Sequence, residues 1–277
     1  MKVIRKTAFY IVASLIALQF LVPMVWMILS SFKIDSVIYR DISTIYAVVP
    51  RFGDLTLKSY QELLSMYNVF RNVLNSLIYA SVTVLAGLTV NSLAGYALAR
   101  FHFPFKNAIL LFIIALMIVP VEAIILPLYL VVHELGMINT LAGYLIPFFV
   151  NVMNIFLFRQ HFLSFPEELI EAAKVDGLTE FGSYWRIVVP ASLPMFVSVG
   201  ILTFIGSWND FLWPVMAITK SDLMPVQVAL NAIFSDTYNI FTSHMMAALT
   251  IVTIPIIVLY ALFQRHIIEG AVRSGIK

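Results

Sequence analysis

Six stretches of about 20 or more apolar residues, near 8–31, 73–99, 107–131, 141–161, 195–217 and 244–264, leave this 277-residue chain few folds to choose from. A helix rises 1.5 Å per residue, so about 20 apolar residues cross the ~30 Å hydrocarbon core of a bilayer. Lipid offers the backbone no hydrogen-bond partners, so each span must satisfy its own amides as a helix. Composition points the same way. Hydrophobic residues make up 61% of the chain and charged residues 12%, against roughly 25% charged in soluble domains. The expected fold is all-α: a polytopic membrane protein with six transmembrane helices, one domain over 1–277, and a soluble-looking loop at 164–194.

The first span follows Lys2, Arg5 and Lys6. Its apolar run exceeds the 7–15 residues usual for a signal peptide and no small-residue cleavage site follows, so it is expected to be a retained membrane helix. With the N-terminus inside, eleven of the seventeen lysines and arginines fall on the inner side. They are Lys2, Arg5, Lys6, Arg100, Lys106, Arg159, Lys174, Arg186, Arg265, Arg273 and Lys277. The outer set is Lys33, Arg40, Arg51, Lys58, Arg71 and Lys220, five of which lie in one long loop. That bias obeys the positive-inside rule and puts both termini and the 164–194 loop in the cytoplasm.

The loop SFPEELIEAAKVDGLTEFGSYWRIVVPASLP reads as two short helices with a hinge. Ser164 and Glu167 have capping-box spacing, with Pro166 in the first turn, where a missing N–H costs nothing. Glu167, Glu168 and Glu171 crowd the positive end of the helix dipole. Gly177 supplies a left-handed C-cap, and a second helix is expected from about Thr179 until Pro190 stops it. Leu169, Ala172 and Ala173 are expected on one face, where small side chains would let a partner approach closely.

The run Glu171-Ala172-Ala173, then Gly177, Ile187 and Val189-Pro190 closely resembles the EAA loop of ABC importer permeases, with valine where the family usually has leucine before the proline. The resemblance extends over essentially the whole chain. Trp208-Asn209-Asp210-Phe211 is similar to a fifth-span run of the carbohydrate branch, and the ending FQRHIIEGAVRSGIK, with Gly270 and Gly275, looks like the tail of the second permease in maltose-type systems. The resemblance implies an ATP-driven importer for a sugar, oligosaccharide or polyol in a bacterial or archaeal inner membrane. It implies as partners an ATP-binding cassette subunit dimer, a second homologous permease, an extracytoplasmic solute-binding protein and membrane lipid. ATPase coupling would fall to Glu171, Ala172, Ala173, Asp176, Gly177, Ile187 and Pro190, and the tail would lie close to the ATPase.

Candidate pathway residues are Asn91, Glu122, Asn209 and Asp210. A charge near the bilayer centre costs on the order of 2.5–3.5 kcal/mol, so Glu122 and Asp210 should face protein or water. The alternative for both is an inter-helix hydrogen bond near the outer interface. Asn91, Gly95 and Ala99 recur every fourth residue, as a closely packed helix requires. In the outer loop, from about residue 32 to 72, aromatic side chains and a short amphipathic helix begun by Thr56 fit either a docking platform or a surface cap.

There is no cysteine, hence no disulfide or thiolate chemistry. No phosphate-binding Gly-x-x-x-x-Gly-Lys loop occurs, and the histidines show no metal-ligand pair. No nucleophile elbow is present, and a net charge of +2 without a basic run gives no reason to expect nucleic acid. The chain is therefore expected to carry no cofactor and no enzymatic activity, with ATP handled by a separate polypeptide. A secondary transporter or channel using Glu122 or Asp210 as a proton or cation relay is the alternative of another class, and a membrane scaffold a third.

Overall fold

The computed structural model describes residues 2–235 and 241–275, with side chains described within 5–264. The first long helix, α1 (Lys2–Ser31), is followed by α2 (Asp35–Asp41), α3 (Lys58–Met66) and the longest uninterrupted apolar element, α4 (Val69–Arg100). Next come α5 (Lys106–Leu116), α6 (Val121–Glu134), α7 (Leu141–Leu145) and α8 (Val152–Leu163). The hairpin region holds α9 (Glu167–Val175), α10 (Glu180–Ser183) and α11 (Val189–Ala191). The chain ends with α12 (Leu193–Trp208), α13 (Leu212–Ala217), α14 (Val226–Ser235) and α15 (Thr242–Gly275). No strand forms among the described residues, and the protein is an all-α polytopic membrane protein.

Three helical segments are individually long and apolar enough to cross a bilayer: Arg5–Ser31, Val69–Arg100 and Thr242–Gln264. Three further apolar stretches, overlapping the expected spans 107–131, 141–161 and 195–217, are formed by pairs of helices that meet at a bend. Lys106–Leu116 and Val121–Glu134 meet at 104°, Leu141–Phe148 and Val152–Leu163 at 42°, and Glu180–Ala191 and Leu193–Trp208 at 79°. Proline accounts for each break. Pro120 caps α6 in an extended conformation, Pro147 sits in a short 3₁₀ turn before the second break, and Pro190 and Pro194 flank Ser192 at the third. The expected fifth span ends early, at Trp208, and its last third folds separately as α13.

The chain divides into two compact units. Unit one holds residues 1–73 and 228–257. Its α1 presents apolar side chains all round, as a lipid-facing helix does. The segment after it folds around a buried Lys33, whose ammonium bonds Asp41 at 3.3 Å and the Tyr46 carbonyl at 2.6 Å. Asp41 also receives Arg40 at 2.9 Å, and Arg40 reaches on to Asp54. The short amphipathic helix begins at Lys58, its N–H taken by the Thr56 hydroxyl. The Asp35 carboxylate accepts the Thr242 and Ser243 N–H groups at 3.0 and 2.8 Å, satisfying the open end of α15.

Unit two holds residues 74–227 and 258–277 and has two apolar centres. One gathers Tyr79, Val132, Tyr144, Leu145, Trp213, Ala217 and Ile218. The other gathers Tyr96, Phe158, Phe162, Phe165, Ile170, Tyr184, Val188 and Val199. At the second centre α4 and α8 nearly touch. A Cβ built on Gly95 would sit 2.7 Å from Phe158 Cβ, 2.9 Å from Arg159 N and 3.0 Å from Ile155 O. The small-residue stripe of α4 thus has its partner inside this chain.

Backbone groups freed at the breaks are met by side chains. Asn91, buried in α4, donates to the Phe149 carbonyl at 3.1 Å and accepts the Asn151 N–H at 2.9 Å, spanning the break before α8. Asn139, left-handed at φ 60, accepts the N–H groups of Thr219 and Lys220. Ser76 accepts the Val226 N–H, Asn75 donates to the carbonyls of Asp222 and Met224, and Tyr79 donates to Leu223.

Candidate functional site: a hairpin and a polar cleft

The hairpin at 164–194 starts later than its sequence suggests. Pro166 is the N-cap residue of α9, Glu167 is its first helical residue, and the Ser164 hydroxyl turns back to the His161 carbonyl at 2.8 Å. No capping box forms, because the extended proline sets the helix start beyond the reach of Ser164. At the other end the Leu178 N–H bonds the Ala173 carbonyl and the Gly177 N–H bonds that of Lys174, both at 3.0 Å. This is a Schellman cap, with Gly177 at φ +83.

The expected face is also rotated. Ala173 is 2% exposed and, with Ile170, is packed into the apolar centre shared with α4 and α8. The open face instead carries Leu169, Ala172 and Val175, the last 87% exposed, beside Glu171 and Asp176. Three-residue spacing puts that apolar row on one side. Ala173 therefore binds its own chain, while Glu171, Ala172 and Asp176 remain open to a partner. The Lys174–Glu180 pair, 2.5 Å apart and half-exposed, joins the two arms of the hairpin. Its hydrogen bond to the Glu180 carboxylate holds the Lys174 ammonium above its ordinary range.

The second arm does not stop at Pro190. Thr179 caps it by accepting the Gly182 N–H at 3.1 Å, and the helix passes through a π turn, Tyr184–Val188, before ending at Ala191. Ile187 packs against the apolar centre, and Pro190 is exposed. Tyr184 and Val188 are fully buried there, and Arg100 at the end of α4 donates to the Phe165 carbonyl just ahead of α9. The hairpin is thus joined to the membrane helices by packing on both arms.

Elsewhere in unit two a cleft of about 420 Å³ opens. Its polar wall holds Thr83, Asn91, Asn151, Asn154, Ser207 and Asp210, and its apolar wall Tyr144, Phe148, Leu157 and Leu202. Asn154 donates to Thr203 at 3.0 Å, and Asn151 caps α8 by accepting the Asn154 N–H. The Asp210 carboxylate lies beside the backbone N–H groups of Phe211 and Trp213 at the start of α13.

Of the four candidate pathway residues, the structure brings Asn91 and Asp210 to this cleft. Glu122 is exposed in the first turn of α6 and Asn209 is exposed beside Gln227; neither lines it. Asn151, Asn154, Thr83 and Ser207 were not singled out from sequence. The visible signal for the first two was an amide pair three residues apart in an apolar span. The backbone of the tail continues α15 to Gly275, but the side chains of 265–275, and residues 276–277, lie outside the described part.

Residues 87–272 match the family described as binding-protein-dependent transport system inner membrane component. The chain is 30% identical to the arabinooligosaccharides transport system permease protein AraQ of Bacillus subtilis (strain 168), over 99% of this chain and 95% of that one. It is 32% identical to the sn-glycerol-3-phosphate transport system permease protein UgpE of Escherichia coli (strain UTI89 / UPEC), over 74% of this chain and 73% of that one. Among solved structures, the fold matches a chain in the crystal structure of a bacterial ABC transporter involved in the import of the acidic polysaccharide alginate. The TM-score is 0.83 at 21% identity, covering 95% and 96% of the two chains.

Proposed function

This chain belongs to the family of binding-protein-dependent transport system inner membrane components, and on that premise we propose that it is the permease subunit of an ATP-driven importer for a neutral sugar, oligosaccharide or polyol. One observation carries the choice of solute. The cleft offers amides, hydroxyls and aromatic faces, includes one carboxylate, and has no lysine or arginine among its lining residues. Such a wall hydrogen-bonds a polyhydroxylated solute and stacks on its apolar faces, whereas a phosphate or uronate would meet Asp210 with no cation to offset it.

In this reading the chain forms half of the pathway beside a homologous permease, with its termini and the 164–194 hairpin in the cytoplasm. An ATPase dimer would receive α9, and an external binding protein would deliver solute. ATP chemistry then belongs to the partner, and this chain is a transport subunit without an active site of its own. Glu171 and Asp176 offer polar contact, and Leu169, Ala172 and Val175 an apolar one. The relay alternative is not favoured: the family match is to binding-protein-dependent transport components, and Glu122 stands outside the cleft.

The test is gentle purification of the tagged chain from its native membranes, mass spectrometry of what accompanies it, and uptake by vesicles of neutral oligosaccharides, glycerol 3-phosphate and uronates. An ATPase, a second permease and a binding protein with ATP-dependent uptake of a neutral solute are expected. A chain that purifies alone, with uptake following an ion gradient, would overturn the reading. ATP-dependent uptake confined to anions would overturn the choice of solute.

A further inference from the structure

Tyr184 is the first residue of the π turn, and its hydroxyl meets Ser92 Oγ of α4 at 2.6 Å in a buried bond. The turn has a cause. In an α-helix the Pro190 ring would press on the carbonyl of Arg186, four residues back. The wider turn ahead of it, in which the Val189 N–H bonds the Tyr184 carbonyl five residues back, relieves that pressure. It also fixes the direction in which the Tyr184 side chain leaves the helix.

A second hydroxyl waits one turn further along the same face of α4. Tyr96 is 3% exposed, its ring centroid lies 5.0 Å from that of Tyr184, and its Oη has no hydrogen-bond partner among the described residues. A buried hydroxyl without a partner is costly. Ser92 and Tyr96 are four residues apart, so their side chains stand one above the other, about 5.4 Å along the helix axis. A one-turn step of this size is a known way for packed elements to hold two discrete arrangements.

We propose that Tyr184 is a positioning residue for coupling, with two seats on α4: Ser92, which it occupies in this structure, and Tyr96, which it takes when the hairpin is displaced by one turn. Pro190 keeps the π turn that aims it. The inference rests on the reading of 164–194 as the ATPase contact. It adds which bond transmits the displacement and where that bond goes.

The chain has no cysteine, so Leu85→Cys on α4 and Phe181→Cys on α10, both strongly exposed, give it two unique spin-label sites. Distances are measured by electron paramagnetic resonance on the purified full importer in lipid nanodiscs, with and without Mg-ATP and vanadate. The wild type is expected to show two distances whose ratio nucleotide changes. Ser92→Ala should shift that ratio toward the Tyr96 seat by about 2- to 10-fold, the effect of one net hydrogen bond, and Tyr96→Phe by a similar factor toward the Ser92 seat. Ser92→Thr, which keeps the hydroxyl, should restore the wild-type ratio.

In the Tyr184→Phe background neither substitution should move the ratio. A purely structural role would lower the yield of complex in every variant without opposing shifts. Shifts of the same sign, or none, in a complex whose wild type responds to nucleotide overturn the two-seat inference alone. A wild-type distance indifferent to nucleotide, or a chain that purifies without an ATPase, overturns the coupling reading with it.

Discussion

Gly95→Ala adds one methyl group where α4 and α8 are closest. Its Cβ would stand 2.7 Å from Phe158 Cβ, where ordinary contact begins at 3.4 Å, and two of its three nearest atoms are backbone atoms of α8. No rotamer change moves a backbone nitrogen or carbonyl, so the helices must separate by several tenths of an ångström. Separation loosens the packing of Phe158, Phe162 and Tyr184 and stretches the Ser92–Tyr184 bond. Overpacking of this kind costs about 1–3 kcal/mol, and lipid offers no hydrophobic return for the lost contact. Gly206→Ala is the control: nothing lies within 4 Å of its Cβ and its φ is ordinary, so removing a helical glycine should be neutral or stabilising by roughly 0.5–1 kcal/mol. Thermal unfolding of the two variants in detergent, followed by tryptophan fluorescence, should show shifts of opposite sign. A Gly95→Ala protein as stable as wild type, or equal shifts in the two, would refute the close-packing argument.

Gly177→Val places a β-branched residue at φ +83, at a cost of about 1–2 kcal/mol or more; uptake should be lost while immunoblots still find the chain in the membrane, and wild-type uptake would sink the role of the turn. Asn91→Ala removes the partner of a part-buried carbonyl and N–H at the break before α8, at about 0.5–1.5 kcal/mol for each bond, and should lower the unfolding temperature where Asn209→Ala, at an exposed site, does not. Arg40 first, and then Lys33, hold the Asp41 carboxyl below its ordinary value of 3.8, as His244 does for Glu62 below 4.5. A depressed folded value means stability that is present above the unfolded value and lost as pH falls through the folded one. Limited proteolysis of the 32–72 segment should therefore rise as pH drops below about 4, and Asp41→Asn should flatten that rise; parallel curves would contradict it.

The apolar runs identified the chain as an all-α polytopic membrane protein, because hydropathy is a property of each segment alone. Straightness is not. Proline at 120, 147, 190 and 194 was visible, but whether a proline bends or breaks a helix depends on who satisfies the freed groups. For the break before α8 that answer lay in Asn91, about sixty residues away. The hairpin's turn was legible because Gly177 acts locally. Its faces were not, since choosing Ile170 and Ala173 for the interior required knowing that Phe158, Phe162 and Phe165 would stand opposite. The capping box failed for a local reason, the extended Pro166. Asp210 could be recognised as a carboxylate that should face protein or water, while its place in the cleft wall appears only once α13 is separate from α12.

The direction of the side-chain-to-backbone bonds in unit two bears on how the chain is made. Asn75, Ser76 and Tyr79 serve residues 222–226, Asn91 serves 149–151, and Asn139 serves 219–220. In each of these the side chain is synthesised before the backbone it serves; Trp213, which donates back to the Tyr144 carbonyl, runs the other way. A ribosome feeding this protein into a membrane delivers these polar receptors first and the irregular segments afterwards, so a break emerges next to a group ready to receive it. Reversing the order, by a circular permutation that begins after residue 100 and so moves 74–100 to the end, would send two irregular segments, 149–151 and 222–226, into lipid before their receptors exist. Poor insertion of such a chain would be a defect of timing, with every native contact still encoded.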